Sequence, residues 1–193
     1  MKNSVPQWLI LSIFCFALIG FVSCNSPHSS ASDGDSTSFT PSSNGDRSQI
    51  AYTSYGNSKS RSGEEVYWST LNGHPVVLNF WAGSCPPCKA EMPDFETLHN
   101  EIGDQVRIIG IDVGQFSGLG SKMEAQRLLG DLGITYETGY SSDPTIMETY
   151  RILGMPTTVF INRDGSVGRT WSGIITLDKL RSESKNILKT KAH

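Results

Sequence analysis

Apolar residues fall along this chain in three regimes. From Trp8 to Val22 they run almost without interruption, from Asn25 to about Arg61 they give way to Ser, Gly, Asn, Asp and Thr, and beyond Gly63 they return in short blocks. The first run has the length of a signal h-region, shorter than the roughly 20 residues of a bilayer-spanning helix. The polar stretch cannot bury enough surface to offset its chain entropy. The pattern divides the chain into a targeting segment over 1–23, a flexible polar linker over 24–61 and a folded domain over 62–193. Gln49 to Tyr55 carries enough β-formers to read as a marginal first strand.

Within the domain, Val76–Trp81 is an apolar run with two β-branched residues, the pattern of a strand buried on both faces. Pro86 to about Glu101 reads as a helix and Gln105–Val113 as a second buried strand. Lys122–Leu132 has helical spacing at Met123, Leu128, Leu129 and Leu132 and stops at Gly133. Glu65–Ser69 and Ile134–Glu137 read as short strands, Phe116–Ser121 as a Gly- and Ser-rich loop, and Pro144–Leu153 as a short helix with Asp143 at its N-cap. Thr157–Ile161 and Ser166–Trp171 flank Asn162-Arg163-Asp164-Gly165, a hairpin turn, and Thr176–Lys189 closes the chain with an amphipathic helix. This order predicts an α/β domain with a mixed central sheet and helices on both faces.

Composition narrows the chemistry. A length of 193 residues, 37% hydrophobic, makes one ordinary domain with chain to spare. A formal net charge of −3 without a long basic stretch leaves no electrostatic footprint for nucleic acid. Of the four cysteines, Cys15 lies in the targeting segment, Cys24 at its end, and Cys85 and Cys88 sit together after the buried strand. A bridge across two intervening residues adds little chain-entropy stabilisation, so the pair is chemical rather than structural. Cys85-Pro86-Pro87-Cys88 between a strand and a helix reads as a redox dithiol. At the helix N-cap, Cys85 meets unpaired amides and the positive end of the helix dipole, which favour the nucleophilic thiolate. Pro86 and Pro87 are tolerated in the first turn, yet they remove two donors to that sulfur. Cys88, one turn in, is expected to be more buried and less ionised, as suits a resolving thiol. Glu91 lies on the same helix face three residues later, and Pro93 falls inside the helix.

Leu78-Asn79-Phe80-Trp81 before the dithiol, and Gly154-Met155-Pro156-Thr157-Thr158-Val159-Phe160-Ile161 after it, resemble the TlpA/ResA-like branch of thioredoxin-fold proteins, over about Gly63 to Leu188. The resemblance implies a thioredoxin-like fold and a membrane-tethered, extracytoplasmic thiol-disulfide oxidoreductase that needs no cofactor and no metal. Its implied partners are a disulfide-bearing exported protein, with apocytochrome c a candidate, and a membrane thiol-disulfide electron donor; the chain is expected to be monomeric. It implies Cys85 as nucleophile, Cys88 as resolving thiol and Glu91 as acid/base for Cys88, since Asn79 stands where thioredoxin has a titratable Asp. It also implies a cis Met155–Pro156 bond, with Met155 backbone and Trp81 forming the substrate-binding face. Ser84 replaces the Trp often found before the first cysteine, so Cys85 is expected to be less shielded, and Gln115 stands where some relatives have Glu. Phe21-Val22-Ser23-Cys24 resembles a lipobox, with Phe21 as the departure; lipidated Cys24 and an uncleaved anchor both put the domain outside the cytoplasmic membrane. The rival reading is a copper(I)-binding module or metallochaperone using the same two thiolates, although His74 and His99 lie outside the dithiol spacing.

Overall fold

The computed structural model describes residues 51–56, 61–71 and 73–190. The targeting segment, Cys15, Cys24 and most of the linker lie outside the described residues. In chain order the elements are β1 (Ala51–Ser54), β2 (Glu65–Tyr67), a 3-10 turn (Trp68–Leu71), β3 (Val76–Trp81), α1 (Pro86–Ile102), β4 (Arg107–Asp112), α2 (Gly114–Ser117), α3 (Lys122–Leu132), β5 (Glu137–Tyr140), α4 (Thr145–Thr149), β6 (Thr157–Ile161), β7 (Val167–Ser172) and α5 (Leu177–Lys189). The strands form one sheet in the order β2-β1-β5-β4-β3-β6-β7. β3 runs parallel to β4, and β4 to β5, while the outer pairings are antiparallel. The sheet is therefore mixed, as the sequence predicts.

Every residue of β3 is buried, because the strand is paired on both edges and covered on both faces. Leu78 and Phe80 pack on one side with Ile109, Ile111, Ile146 of α4 and Tyr150 at that helix's C-cap. Val77 packs on the other side with Phe95 and Leu98 of α1 and Leu180 and Ile187 of α5. Trp81 lies on that second side too, in a cluster with Cys85, Cys88, Met92, and the α3 residues Ala125 and Leu128. Helices thus cover both faces. α3 begins with a reciprocal capping box between Ser121 and Glu124, and it ends at Gly133 in the left-handed conformation, the stop its sequence predicts.

Several boundaries differ from the sequence reading, each for a tertiary reason. β1 forms within Gln49–Tyr55, the stretch read as a marginal first strand, and so inside the bounds given to the linker: its alternating pattern buries Tyr52 and Ser54, and it pairs with both β2 and β5. The strand expected over Glu65–Ser69 ends at Tyr67, where the chain turns to bury Trp68 and Leu71. The strand expected over Ile134–Glu137 is instead Glu137–Tyr140. The N–H groups of Thr135 and Tyr136 are taken by the Glu96 carboxylate, at 2.7 and 3.3 Å, and so do not enter a ladder. The loop expected from Phe116 starts inside α2, whose first N–H, from Gly114, is held by Asp112 Oδ1 at 2.9 Å. α4 is shorter than Pro144–Leu153: Pro144 occupies the cap, Asp143 holds the Thr145 N–H at 2.9 Å, and Arg151 at φ 51° breaks the helical path.

The β1–β5 contact depends on Gly139. A Cβ there would meet the Thr53 carbonyl oxygen inside contact distance and lie 2.6 Å from the Tyr52 ring. Gly139→Ala is expected to cost about 1–3 kcal/mol through overpacking, seen as a lower urea midpoint with an unchanged slope; an unchanged midpoint would mean that β1 is not held by this pairing.

Candidate active site

β3 delivers the chain into the turn Ala82-Gly83-Ser84, and α1 starts at once. This turn is held from behind by the segment between α2 and α3. The Ser84 N–H donates to the Leu119 carbonyl at 2.8 Å, and the Ser84 hydroxyl donates to Glu124 Oε1 at 3.1 Å. Gly83 approaches so closely that a Cβ would lie 2.7 Å from the Ala125 nitrogen. Cys85 then caps α1, in extended conformation at φ −91°, ψ 107°. Its Sγ accepts the Cys88 N–H at 3.3 Å, which is the first N–H the helix has to offer after Pro86 and Pro87. Cys85 and Cys88 are joined by a disulfide. α1 continues through Pro93 to Ile102.

Beneath the dithiol lies a carboxyl group. Glu91 is 1% exposed, so it is not a solvated first-turn residue complementing the helix dipole. Its Oε1 accepts from the Asn79 amide at 2.8 Å, and its Oε2 accepts from the Ile175 N–H at 3.0 Å. Burial raises its pKa from 4.5 to about 7, outweighing those two hydrogen bonds, which favour the ionised form; nearby Asp94 adds to the rise. β3, α1 and the approach to α5 thus converge on one side chain.

The Met155–Pro156 bond is cis. The Pro156 carbonyl accepts from Gly173 N–H at 2.9 Å, and the Gly154 carbonyl accepts from the Thr157 hydroxyl at 2.8 Å. Met155 packs against the cluster that contains both cysteines. Among the described residues, its N–H and C=O have no hydrogen-bond partner. The fold therefore brings Cys85, Cys88, Glu91, Met155 and Pro156 to the same end of the sheet, from two separate stretches of sequence.

Comparison with known proteins agrees with this geometry. The sequence profile of the AhpC/TSA family matches residues 53–170. The thiol-disulfide oxidoreductase ResA of Oceanobacillus iheyensis is 32% identical over 122 residues, which are 63% of this chain and 62% of that protein. ResA of Halalkalibacterium halodurans is 30% identical over 131 residues, 67% of this chain and 71% of that one. The chain belongs to the ResA-type thiol-disulfide oxidoreductases of the AhpC/TSA family. Among solved structures, the exposed lipoprotein thioredoxin of Streptococcus pneumoniae matches with a TM-score of 0.62 at 22% identity, covering 71% of this chain and 98% of that one, which is a likeness of fold.

Two expectations carried by the ResA resemblance change. Trp81 is fully buried and offers no surface to a substrate. Its indole nitrogen lies over Gly110 of the neighbouring strand, where a Cβ would come within 2.9 Å of it. The ring supports the dithiol from below. Cys85, expected to be less shielded because Ser84 replaces a Trp, is only 3% exposed. The surrounding cluster of Trp81, Ala82, Met92 and Ala125, with Leu119 and Met155 packed against it, does the shielding instead.

Sequence reasoning also misses two features of this ResA-type domain. Asp112, paired in register with Trp81, is a second buried carboxyl. It accepts from Gly114 N–H at 2.9 Å and Tyr55 Oη at 2.8 Å. Burial pushes its pKa up against those bonds and against Lys122, whose ammonium sits 3.4 Å from the centre of the Tyr140 ring. The local signal was Asp112-Val113-Gly114, an acidic side chain able to hold the N–H two residues on. The Ser84–Glu124 contact had none. Gln115 donates to the Ser141 carbonyl, fastening α2 to the end of β5. His99 stacks edge-on near Tyr136, and His74 precedes β3 at the end opposite Trp81.

The Glu91 shift has a thermodynamic consequence. Its folded pKa of about 7 lies above the ordinary value of 4.5, so the folded chain holds this proton more tightly than the unfolded chain does. That contribution to stability is present below about pH 4.5 and is lost as pH rises to about 7. Urea titrations of the disulfide form should show the parent chain losing about 3 kcal/mol relative to Glu91→Gln across this window. A difference independent of pH would contradict the burial effect.

Proposed function

We propose that this chain is an extracytoplasmic reductant of disulfides in exported proteins, with apocytochrome c as a candidate substrate. Cys85 thiolate attacks a substrate disulfide, forming a mixed disulfide and releasing one substrate thiolate, which takes up a proton. Cys88 passes its proton to Glu91 and attacks Cys85 Sγ; the second substrate thiol leaves and the Cys85–Cys88 disulfide forms, two electrons having moved to the substrate. A membrane thiol-disulfide donor restores the dithiol. Met155 and Pro156 present the substrate, the unpaired Met155 backbone offering one N–H and one C=O to an extended segment. The domain acts as a monomer tethered through lipidated Cys24.

The observation that supports this reading best is the buried Glu91, one helical turn after Cys88, with a pKa of about 7. A group titrating near neutrality can both take and return a thiol proton at working pH.

The roles separate by mutation. Cys88→Ser should accumulate a mixed disulfide with a substrate such as insulin, visible on non-reducing gels, whereas Cys85→Ser should form none and lose turnover altogether. Mixed disulfides on Cys85→Ser would reverse the assignment. Insulin reduction that persists after metal stripping is the expected result; activity only with copper present would favour the metallochaperone instead.

A further inference from the structure

Asn79 projects from the middle of β3 toward α1 and is completely buried. Its amide nitrogen donates two hydrogen bonds, to Glu91 Oε1 at 2.8 Å and to Thr158 Oγ1 at 3.2 Å. Its carbonyl oxygen, equally buried, has no partner at all. An unpartnered buried acceptor costs about 1–3 kcal/mol, so an asymmetry this complete calls for a reason. A half-turn of the amide about χ2 would bring Oδ1 to face Glu91 and Thr158 and carry Nδ2 to the unpartnered side. That rotation breaks nothing at the free end. It would be forbidden if Oδ1 were held.

Which atom belongs opposite Glu91 depends on the proton. A carboxylate needs a donor, and the amide nitrogen supplies it; a neutral carboxylic acid presents an O–H, and the amide oxygen accepts it. Thr158 suits both orientations, since its hydroxyl accepts from Nδ2 or donates to Oδ1. The second carboxyl oxygen has no such freedom. Glu91 Oε2 accepts from a main-chain N–H, that of Ile175, which can only donate. Protonation is therefore directed to Oε1, the oxygen facing Asn79. The groups around this carboxyl are Cys88 and Asp94 on α1, Tyr136 ahead of β5, Thr158 on β6 and the Ile175 N–H before α5. Asp94 interacts with it electrostatically and favours its neutral form; Tyr136 faces it as a neutral phenol, its own ionisation opposed by burial and by the Glu91 charge.

We propose that Asn79 is a positioning residue whose side-chain amide turns over as Glu91 gains and loses the proton it exchanges with Cys88, so that the carboxyl group stays hydrogen-bonded in both states. The proton moves from Cys88 Sγ to Glu91 Oε1, the new O–H donates to Asn79 Oδ1, and the reverse transfer restores the Nδ2 contact; no electrons move in the rotation. An Asp at this position would add a second negative charge beside Glu91 and could not serve the ionised form. This inference rests on Glu91 being the proton partner of Cys88.

The test uses the full chain in its disulfide form, where Cys88 does not titrate, with side-chain amide and carboxyl groups followed by NMR. The Asn79 NH2 signals should titrate with the same midpoint as the Glu91 carboxyl carbon, and the NH2 contacts to the Thr158 methyl should be present above that midpoint and lost below it. NH2 contacts that persist unchanged while Glu91 titrates would overturn the proposal. In Asn79→Leu, of similar size but without donor or acceptor, the Glu91 midpoint should rise by about one pH unit, because a bond to a charged group is stronger than one to a neutral group. An unmoved midpoint in a folded variant would also overturn it. The underlying reading fails separately: if Glu91→Gln leaves the Cys88 thiol titration of the reduced chain unchanged, Glu91 is not the proton partner, whatever Asn79 does.

Discussion

A central strand buried on both faces and paired on both edges has one permitted register. In β3, a slip of one residue would turn Leu78 and Phe80 toward α1 and send Asn79 and Trp81 into the opposite core, leaving a buried amide and an indole N–H among aliphatic side chains. The strand therefore sets more than the sheet. Its odd-numbered side chains are the platform on which the dithiol helix lies: Val77 under the middle of α1, Asn79 under Glu91, and Trp81 under the cysteines. α1 in turn reaches outward with carboxylates that hold N–H groups of the surrounding chain, Glu91 to Ile175, Asp94 to Leu177 and Glu96 to Thr135 and Tyr136. The helix that carries the chemistry is thus fastened at both its underside and its flanks.

Opposing effects of similar size meet at this site, and magnitude decides between them. Two hydrogen bonds hold Glu91 toward its charged form, yet removal from water outweighs them and leaves it near neutrality. Asp112, with two donors and a nearby lysine, is pushed the same way. At Cys85 the helix N-terminus favours a thiolate, but two prolines strip the first turn of donors, and the Cys88 N–H is what remains to reach the sulfur. The motif therefore keeps the dipole and gives up most of the direct hydrogen bonding.

What could be read from the sequence follows the range of the forces involved. The β3 run, the helix start at Pro86, the Gly133 stop and the Asn162–Gly165 turn are local patterns, and each stands where the residues say. The dithiol and Glu91 were legible because spacing and resemblance both pointed to them, the cis-proline loop through resemblance alone. The register of β5 was not, since it is decided by Glu96 capturing two N–H groups from another helix. Nor was the burial of Trp81, which depends on Gly110 leaving room across the sheet. Glu137, buried between Tyr52 and Arg107, looks in sequence like any strand-end carboxylate. Its neighbours come from β1 and β4, and no spacing rule joins them.

The exposure of the dithiol constrains how electrons enter and leave. Cys88 is wholly buried, and Cys85 keeps the little surface that the pair has. A sulfur nucleophile must approach along the S–S axis, so on the proposed reading an incoming donor thiolate attacks Cys85, from the side where Pro86 and Pro87 are exposed, and Cys88 leaves. The leaving thiolate appears in the interior, one turn from Glu91, where a charge is costly and a proton is most needed. Substrate reduction runs the same path backwards. Both half-reactions therefore pass charge through the one buried sulfur that has a titratable carboxyl beneath it. Leu153, 96% exposed, and Ile174, 54% exposed, flank the Met155–Pro156 bond at the rim.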